Sequence, residues 1–378
     1  MNNSFVLALS TLVGTIVGAG IFGLPYVISK SGIMPGVFYF VILGGAVLLL
    51  HLFMGEIALR TAEKHRLIGY ASLYLGDWGS MLATFSTLFG IVGAVLAYII
   101  IGGEFFKIIL SPILPFSDFG FSLLFWALLT PFILRGIQLI AKVEFFMNIA
   151  LFAVIGLVFV FAFPHVNVQN FPSLQLNNIF LPFGVILFAL TGWSAIPEIA
   201  DLFKKRKEKR QLDNLIVWTF IIVTGLYILF SLFVIGVSGE QTSPDALSGL
   251  KPFLGKNIIT LGALFGLLAI ATSFLILGNY LKNSLRYDLK LSPVLSAAIA
   301  IFAPLALFLL GFRSFIEVIG LVGAGIGAFE GVLIILIFQK AKTRGDREPE
   351  YSLRVPQIVL IPLVAMLAAG ALAEILLQ

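Results

Sequence analysis

Cysteine is absent from these 378 residues, and histidine occurs only at His51, His65 and His165. The first absence excludes disulfides, thiolate metal sites and cysteine nucleophiles, and three scattered imidazoles are too few for a histidine metal cluster. Charge is scarce as well: Asp, Glu, Lys and Arg make up 11% of the chain, against 60% apolar residues and a mean hydropathy of +1.07. So apolar a chain cannot fold as a water-exposed globule, and a lipid bilayer is its expected solvent. No H-E-x-x-H or G-x-S-x-G motif occurs, which leaves an intramembrane enzyme without a catalytic constellation. The net charge of +5 lies in short loops between apolar runs, so no solvated basic face is left for a nucleic acid. No cofactor, nucleic acid or obligate protein partner is expected.

What the chain has in abundance is apolar runs of about the 20 residues that a spanning helix needs. They fall at 4–29, 35–59, 80–110, 119–140 and 143–163, then at 177–201, 213–237, 255–281, 293–311, 313–338 and 355–377. The expectation is an all-α, multi-pass membrane protein of eleven transmembrane helices with no room for a separate soluble domain. Because its first basic residue is Lys30, the first run is expected to be a retained helix and not a cleaved signal peptide.

Basic residues set the orientation. Alternate loops hold Arg60, Lys64 and Arg66; Arg135 and Lys142; the run from Lys204 to Arg210; Lys282, Arg286 and Lys290; and Lys340, Lys342, Arg344, Arg347 and Arg354. Of the 24 basic residues, only Lys30, Lys107, Lys251, Lys256 and Arg313 fall on the other side. The bias places the richer side in the cytoplasm, with the N-terminus inside and the C-terminus external after an odd number of crossings of the cell (cytoplasmic) membrane. The Lys204–Arg210 run is therefore read as a topology anchor.

Spacing also discloses a repeat. Adding about 174 residues to the centres of the first five runs lands near the centres of the next five, as from Gly18 to Gly192. Five crossings is an odd number, so the second copy starts on the opposite side of the membrane, giving a 5+5 inverted repeat. The organisation is a first five-helix unit at 1–163, a second, inverted one at 177–338, and an extra helix at 355–378.

Each copy opens with a helix that should break. The first run carries Gly14-Thr15-Ile16-Val17-Gly18-Ala19-Gly20-Ile21-Phe22-Gly23-Leu24-Pro25, and the sixth carries Phe188-Ala189-Leu190-Thr191-Gly192-Trp193-Ser194-Ala195-Ile196-Pro197-Glu198. At about 1.5 Å per residue, Gly18 and Gly192 lie roughly 20 Å from opposite ends of their runs, close to the midplane. Irregular backbone at that depth is tolerated where it is buried or lines a cavity. Freed N–H groups and half-helix N-termini there can hold an anionic group, and freed carbonyls a cation. A closed central site of this kind also sets a channel aside.

The first of these runs resembles the first-helix signature of the amino acid-polyamine-organocation superfamily, and the second the sixth-helix signature of its amino acid/auxin permease branch. Ala269-Ile270-Ala271-Thr272-Ser273-Phe274-Leu275 is similar to the eighth helix of bacterial aromatic amino acid (tryptophan and tyrosine) permeases. The chain departs from those permeases just beyond, where Gly278-Asn279-Tyr280-Leu281-Lys282 replaces an acidic pattern. The resemblance implies a leucine-transporter-like fold with broken helices one and six. It implies a secondary active permease for a small-molecule amino acid, neutral or aromatic, working by alternating access as a cation-coupled symporter. An exchanger of amino acids or polyamines is the alternative.

It further implies a set of site residues. With no arginine at that depth, the substrate carboxylate would be held by backbone N–H groups around Ile16, Gly18, Ala19 and Gly20. Phe188 would gate the site, Ala189, Thr191, Gly192 and Trp193 would border the side chain, and Tyr98 would reach it with its hydroxyl. Ala269, Thr272 and Ser273 resemble a sodium site completed by the carbonyls of Gly14 and Val17; oxygen-only ligands suit a hard cation. Hydroxyls that merely bond back to their own helix are the bland alternative. The coupling ion is sodium or a proton. Lys142 lies too shallow to replace the cation, as a deep fifth-helix lysine does in some proton-coupled relatives. Glu56 would brace an unwound helix or carry a proton, and Glu104, Glu144, Glu317 and Glu330 are further acids in or near the membrane.

Overall fold

The computed structural model describes residues 3–135, 152–203, 205–287 and 289–377; the expectations for Lys142, Glu144, Lys204 and Gln378 lie outside them. All regular structure among these residues is helical. In chain order the helices are α1 Asn3–Ile16, α2 Gly20–Ser31, α3 Ile33–Arg60, α4 Leu67–Leu75, α5 Asp77–Leu110, α6 Asp118–Arg135 and α7 Phe152–His165. They continue with α8 Leu181–Leu190, α9 Ile196–Leu202, the single turn α10 Arg206–Lys209, α11 Leu212–Ser238, α12 Lys251–Tyr287 and α13 Pro293–Leu309. The last are α14 Phe315–Leu321, α15 Ala328–Arg344 and α16 Gln357–Leu377, with a π-helical segment, Val322–Gly327, between α14 and α15.

Among the described residues seven helices or joined helices are long and apolar enough to cross a bilayer, or eight if α1 and α2, bent by 53°, form one crossing. Three shorter apolar helices, α6, α7 and α13, stand where the fourth, fifth and ninth runs were expected; part of the fourth and fifth runs lies outside the described residues. Lipid contact explains the outward faces. Met81, Phe85 and Phe89, four residues apart and so on one side of α5, are exposed, as are Trp218, Ile221, Ile222 and Leu229 on α11.

At the centre, α8 packs against α2, α3, α14 and the π segment, while α11 packs against α1, α2 and α3. In a bilayer, helices associate through close packing and not through exclusion of water, so small residues mark the tightest seams. Gly184 of α8 and Gly323 of the π segment are such a seam, for a methyl group added at Gly323 would strike the Gly184 backbone and one added at Gly184 would strike the backbone of Gly320 at the end of α14. The two elements therefore fit backbone to backbone beside the interruption in the chain that follows α8. One helix was unforeseen: α4 lies against α5 and α15 and ends at Gly76, whose φ of 78° suits a residue without a Cβ.

Candidate functional site between the interrupted helices

The first interruption runs from Val17 to Ala19. Val17 N–H still donates to Val13 at 2.9 Å, but Gly18 N–H turns to the Ile16 carbonyl at 2.9 Å, in place of the Gly14 carbonyl that a continuing helix would offer. Ala19 precedes α2 without a side-chain cap. Phe22 N–H donates to the Ala19 carbonyl at 3.1 Å, which leaves the Gly20 and Ile21 N–H groups as the ones that open α2 without helical partners. The second interruption follows Leu190: Thr191 is extended at φ −69° and ψ 127°, Gly192 follows, and a 3-10 turn over Trp193–Ala195 leads into α9.

The fold brings the two interruptions together. Tyr227 of α11, fully buried, places its hydroxyl 2.9 Å from the Ile16 carbonyl and 2.9 Å from the Ala189 carbonyl, the ends of α1 and α8. A methyl added at Gly20 would come within 2.6 Å of Ala189 Cα, and one added at Gly192 would run into the Ile16 side chain. Gly18 has more room, with Tyr98 Oη 3.7 Å from where its Cβ would be. Ile16, Gly18, Gly20, Tyr98, Ala189 and Gly192 therefore share one small region, with Ala19 at the start of α2.

The other expected residues surround it unevenly. Phe188 is half-buried, its backbone nitrogen close against Gly323. Thr191 Oγ1 donates to Leu187 at 2.7 Å. Trp193 is fully buried, and its indole N–H donates to Glu330 Oε2 at 2.9 Å. On α12, the hydroxyls of Thr272 and Ser273 both donate to the Ala269 carbonyl, at 2.8 and 3.1 Å, so both protons are spent within their own helix. Their oxygen lone pairs stay available as acceptors. Ser273 also lies beside the Tyr98 hydroxyl, which links α12 to the region around Gly18. Gly14 and Val17 belong to the end of α1 and the break, and the bonds of Thr272 and Ser273 do not reach them.

Glu56 is held elsewhere. Its buried carboxylate accepts from Arg60 Nε at 2.8 Å, Ser352 Oγ at 3.1 Å and Leu353 N–H at 2.6 Å. The partners are a neighbour one turn along α3 and the loop before α16, not an unwound segment. Tyr351 strengthens the same clasp by donating to the Leu52 carbonyl at 2.7 Å, and burial, with Glu56 nearby, pushes its hydroxyl well above the usual tyrosine range.

Sequence reasoning missed Tyr227 and His51. His51 is fully buried; its Nδ1 bonds the Val47 carbonyl at 2.8 Å, while Nε2 has no partner and lies 3.3 Å from where a Cβ at Gly192 would be. A lone histidine inside an apolar run was the available signal. For Tyr227 there was none, since one tyrosine in an aromatic-rich helix looks like packing.

With this geometry in place, comparison with known proteins gives a consistent result. The family described as transmembrane amino acid transporter protein matches residues 1–339. The chain is 23% identical over 324 residues to glutamine transporter 2 of Aliivibrio fischeri, covering 82% of each protein. It is 27% identical over 353 residues to tyrosine-specific transport system 1 of Haemophilus influenzae, covering 87% of this chain and 86% of that one.

Proposed function

This chain belongs to the transmembrane amino acid transporter protein family, and from that premise we propose that it is a secondary carrier importing a neutral or aromatic amino acid by alternating access, coupled to sodium or protons. It is a transporter and not an enzyme. The observation that carries the finer reading is the Tyr227 hydroxyl shared by the carbonyl ends of α1 and α8. Two helices interrupted at mid-depth and meeting face to face supply what a zwitterion needs: N–H groups at the start of a half-helix for its carboxylate and carbonyl lone pairs at the end of another for its ammonium group.

In this reading Gly18, Ala19 and Gly20, with Ile16, hold the carboxylate. Ala189, Thr191, Gly192 and Trp193 border the side chain, Phe188 closes over it, and Tyr98 reaches it from α5. Eleven crossings in a 5+5 inverted repeat, 1–163 and 177–338, plus a last helix at 355–378, give the two halves that rock about this centre. Gly14, Val17, Ala269, Thr272 and Ser273 remain the oxygens for a sodium ion if sodium drives uptake, with Glu56 holding the loop that leads to the last helix. The names of the two relatives make glutamine and tyrosine the first substrates to try.

The test is uptake by the purified protein in proteoliposomes, over an amino acid panel that includes glutamine and tyrosine, with sodium and pH gradients imposed separately. Saturable uptake that follows one of the gradients is expected. Counterflow that ignores both gradients would make it an exchanger, and no movement of any amino acid under any condition would overturn the proposal.

A further inference from the structure

Glu330 stands midway along the Phe315–Arg344 crossing, the depth at which a carboxyl is most costly to ionise. Its Oε2 accepts the Trp193 indole N–H at 2.9 Å and its Oε1 accepts the Ser86 hydroxyl at 3.4 Å. The Thr87 hydroxyl, buried and making no hydrogen bond of its own, lies beside the same carboxyl. All three neighbours are neutral. The buried carboxylates of Glu56 and Glu350 each take an arginine, at 2.8 and 2.6 Å, whereas Glu330 is in none of the ion pairs among the described residues.

The elements packed against α15 are α3, α4, α5, α16 and the π segment. On α3 the titratable groups are Tyr39 near its start, His51, which lies edge-on to the Trp193 ring at 5.8 Å, and the mutually paired Glu56 and Arg60. On α4 they are Tyr70 and Tyr74; on α5, Tyr98 lies three turns further along than Ser86, Lys107 is paired with Asp118 near Glu104, and Asp77 is at the far end. Glu374 is on α16, the π segment has no such group, and the cations of α15 itself, Lys340, Lys342 and Arg344, are in its last two turns.

A mid-depth carboxyl with no cation beside it has one small counter-charge it can take up and give back, a proton. The neighbours serve both states. When Glu330 is ionised, the indole N–H and the Ser86 hydroxyl donate to it; when it is protonated, its O–H can donate to the Ser86 or Thr87 oxygen, because a hydroxyl rotates from donor to acceptor. The indole cannot reverse, so only the strength of its bond changes: charge-assisted to a carboxylate, ordinary to a carboxylic acid. Trp193 is the residue directly after Gly192 at the second interruption.

We propose that Glu330 binds the coupling proton and that Trp193 transmits its occupancy to the interruption between α8 and α9. The step is a simple addition: a proton from the outer solution adds to a Glu330 oxygen, the Trp193 contact slackens as the helix break rearranges, and the same proton leaves that oxygen on the inner side. This rests on the transport reading above and names the ion that reading left as sodium or a proton. The hydroxyls of Thr272 and Ser273, bonded back to Ala269, then act as helix structure.

The experiment uses the full-length protein in sodium-free proteoliposomes loaded with the amino acid found to be transported. Glu330→Gln keeps the shape and an acceptor for the indole but cannot ionise. It is expected to lose tenfold or more of the accumulation driven by an inside-alkaline gradient while still exchanging labelled for unlabelled substrate. Trp193→Phe removes the donor to the carboxylate along with part of the ring; loss of ring volume alone would alter rate or affinity, whereas loss of the donor should raise the pH of half-maximal uptake by up to about one unit, since the lost bond favoured the ionised form. Gradient-driven accumulation by E330Q at the level of the unaltered protein would overturn the proposal. So would a Trp193→Phe pH profile that does not move, which also decides the matter if E330Q fails to fold. An unaltered protein that exchanges substrate yet needs sodium and ignores pH overturns this inference and leaves the transport reading standing, whereas one that moves no amino acid overturns both.

Discussion

One phenolic hydroxyl has a single proton, and at Tyr227 two carbonyls stand ready to accept it. Both acceptors are ends of interrupted helices, where no further helical turn satisfies them, although the Ile16 carbonyl also accepts the Gly18 N–H. Tyr227→Phe removes the donor and leaves the Ala189 carbonyl bare in a buried place, at about 1–3 kcal/mol for an unsatisfied buried group, while the Ile16 carbonyl keeps the Gly18 N–H. We expect a lower melting temperature in detergent and slower transport with little change in apparent affinity, measured by thermal shift and initial-rate uptake. A variant with unchanged stability and rate would mean that the tyrosine merely fills space. At this scale the sequence disclosed glycines better than side chains. Gly18, Gly20 and Gly192 stand out because breakers are conspicuous in hydrocarbon, whereas Tyr227 and His51 matter only through partners on other helices. Glu330 was visible as one acid among several, and only its contact with Trp193 beside the second interruption, a three-dimensional fact, singles it out.

Among helices, the legible features were those set by local composition. The bend between α1 and α2 and the extended residue after α8 occur where glycine and proline interrupt apolar runs. The π-helical segment was not foreseen, although Val322-Gly323-Ala324-Gly325-Ile326-Gly327 carries three glycines in six residues. Its irregularity answers to a neighbour, since Gly184 and Gly323 bring two backbones into contact and the wider turn accommodates the approach. Helix α4 escaped for a different reason: Leu67–Leu75 is a nine-residue stretch, too short to register as a crossing. The Glu56 clasp joins α3 to the loop before α16 across nearly 300 positions of sequence, a pairing no local pattern encodes.

For the molecule as a whole, the asymmetry of basic residues is the basis for proposing a cytoplasmic N-terminus and an external C-terminus. A reporter active only in the cytoplasm should be active when inserted in the Lys204–Arg210 loop and silent when fused after Gln378; activity at Gln378 would reverse the odd number of crossings. The apolar helices also differ widely in reach. Helix α5 has 34 residues and α13 only 17, about 51 Å against about 25 Å at 1.5 Å per residue. A hydrocarbon layer is about 30 Å thick, and α13 presents Val294, Leu295, Phe302 and Leu309 outward. In the eleven-crossing arrangement proposed above, lipid beside α13 has to thin by roughly 5 Å, at a fraction of a kcal/mol per Å, while α5 has length to spare by tilting. The protein should sit in a dent of its own making, deeper on one flank than on the other. Acyl chain length then becomes a control on turnover: transport in vesicles of short-chain lipids should exceed that in long-chain ones, and equal rates across the series would show that the short helix leaves the bilayer undisturbed.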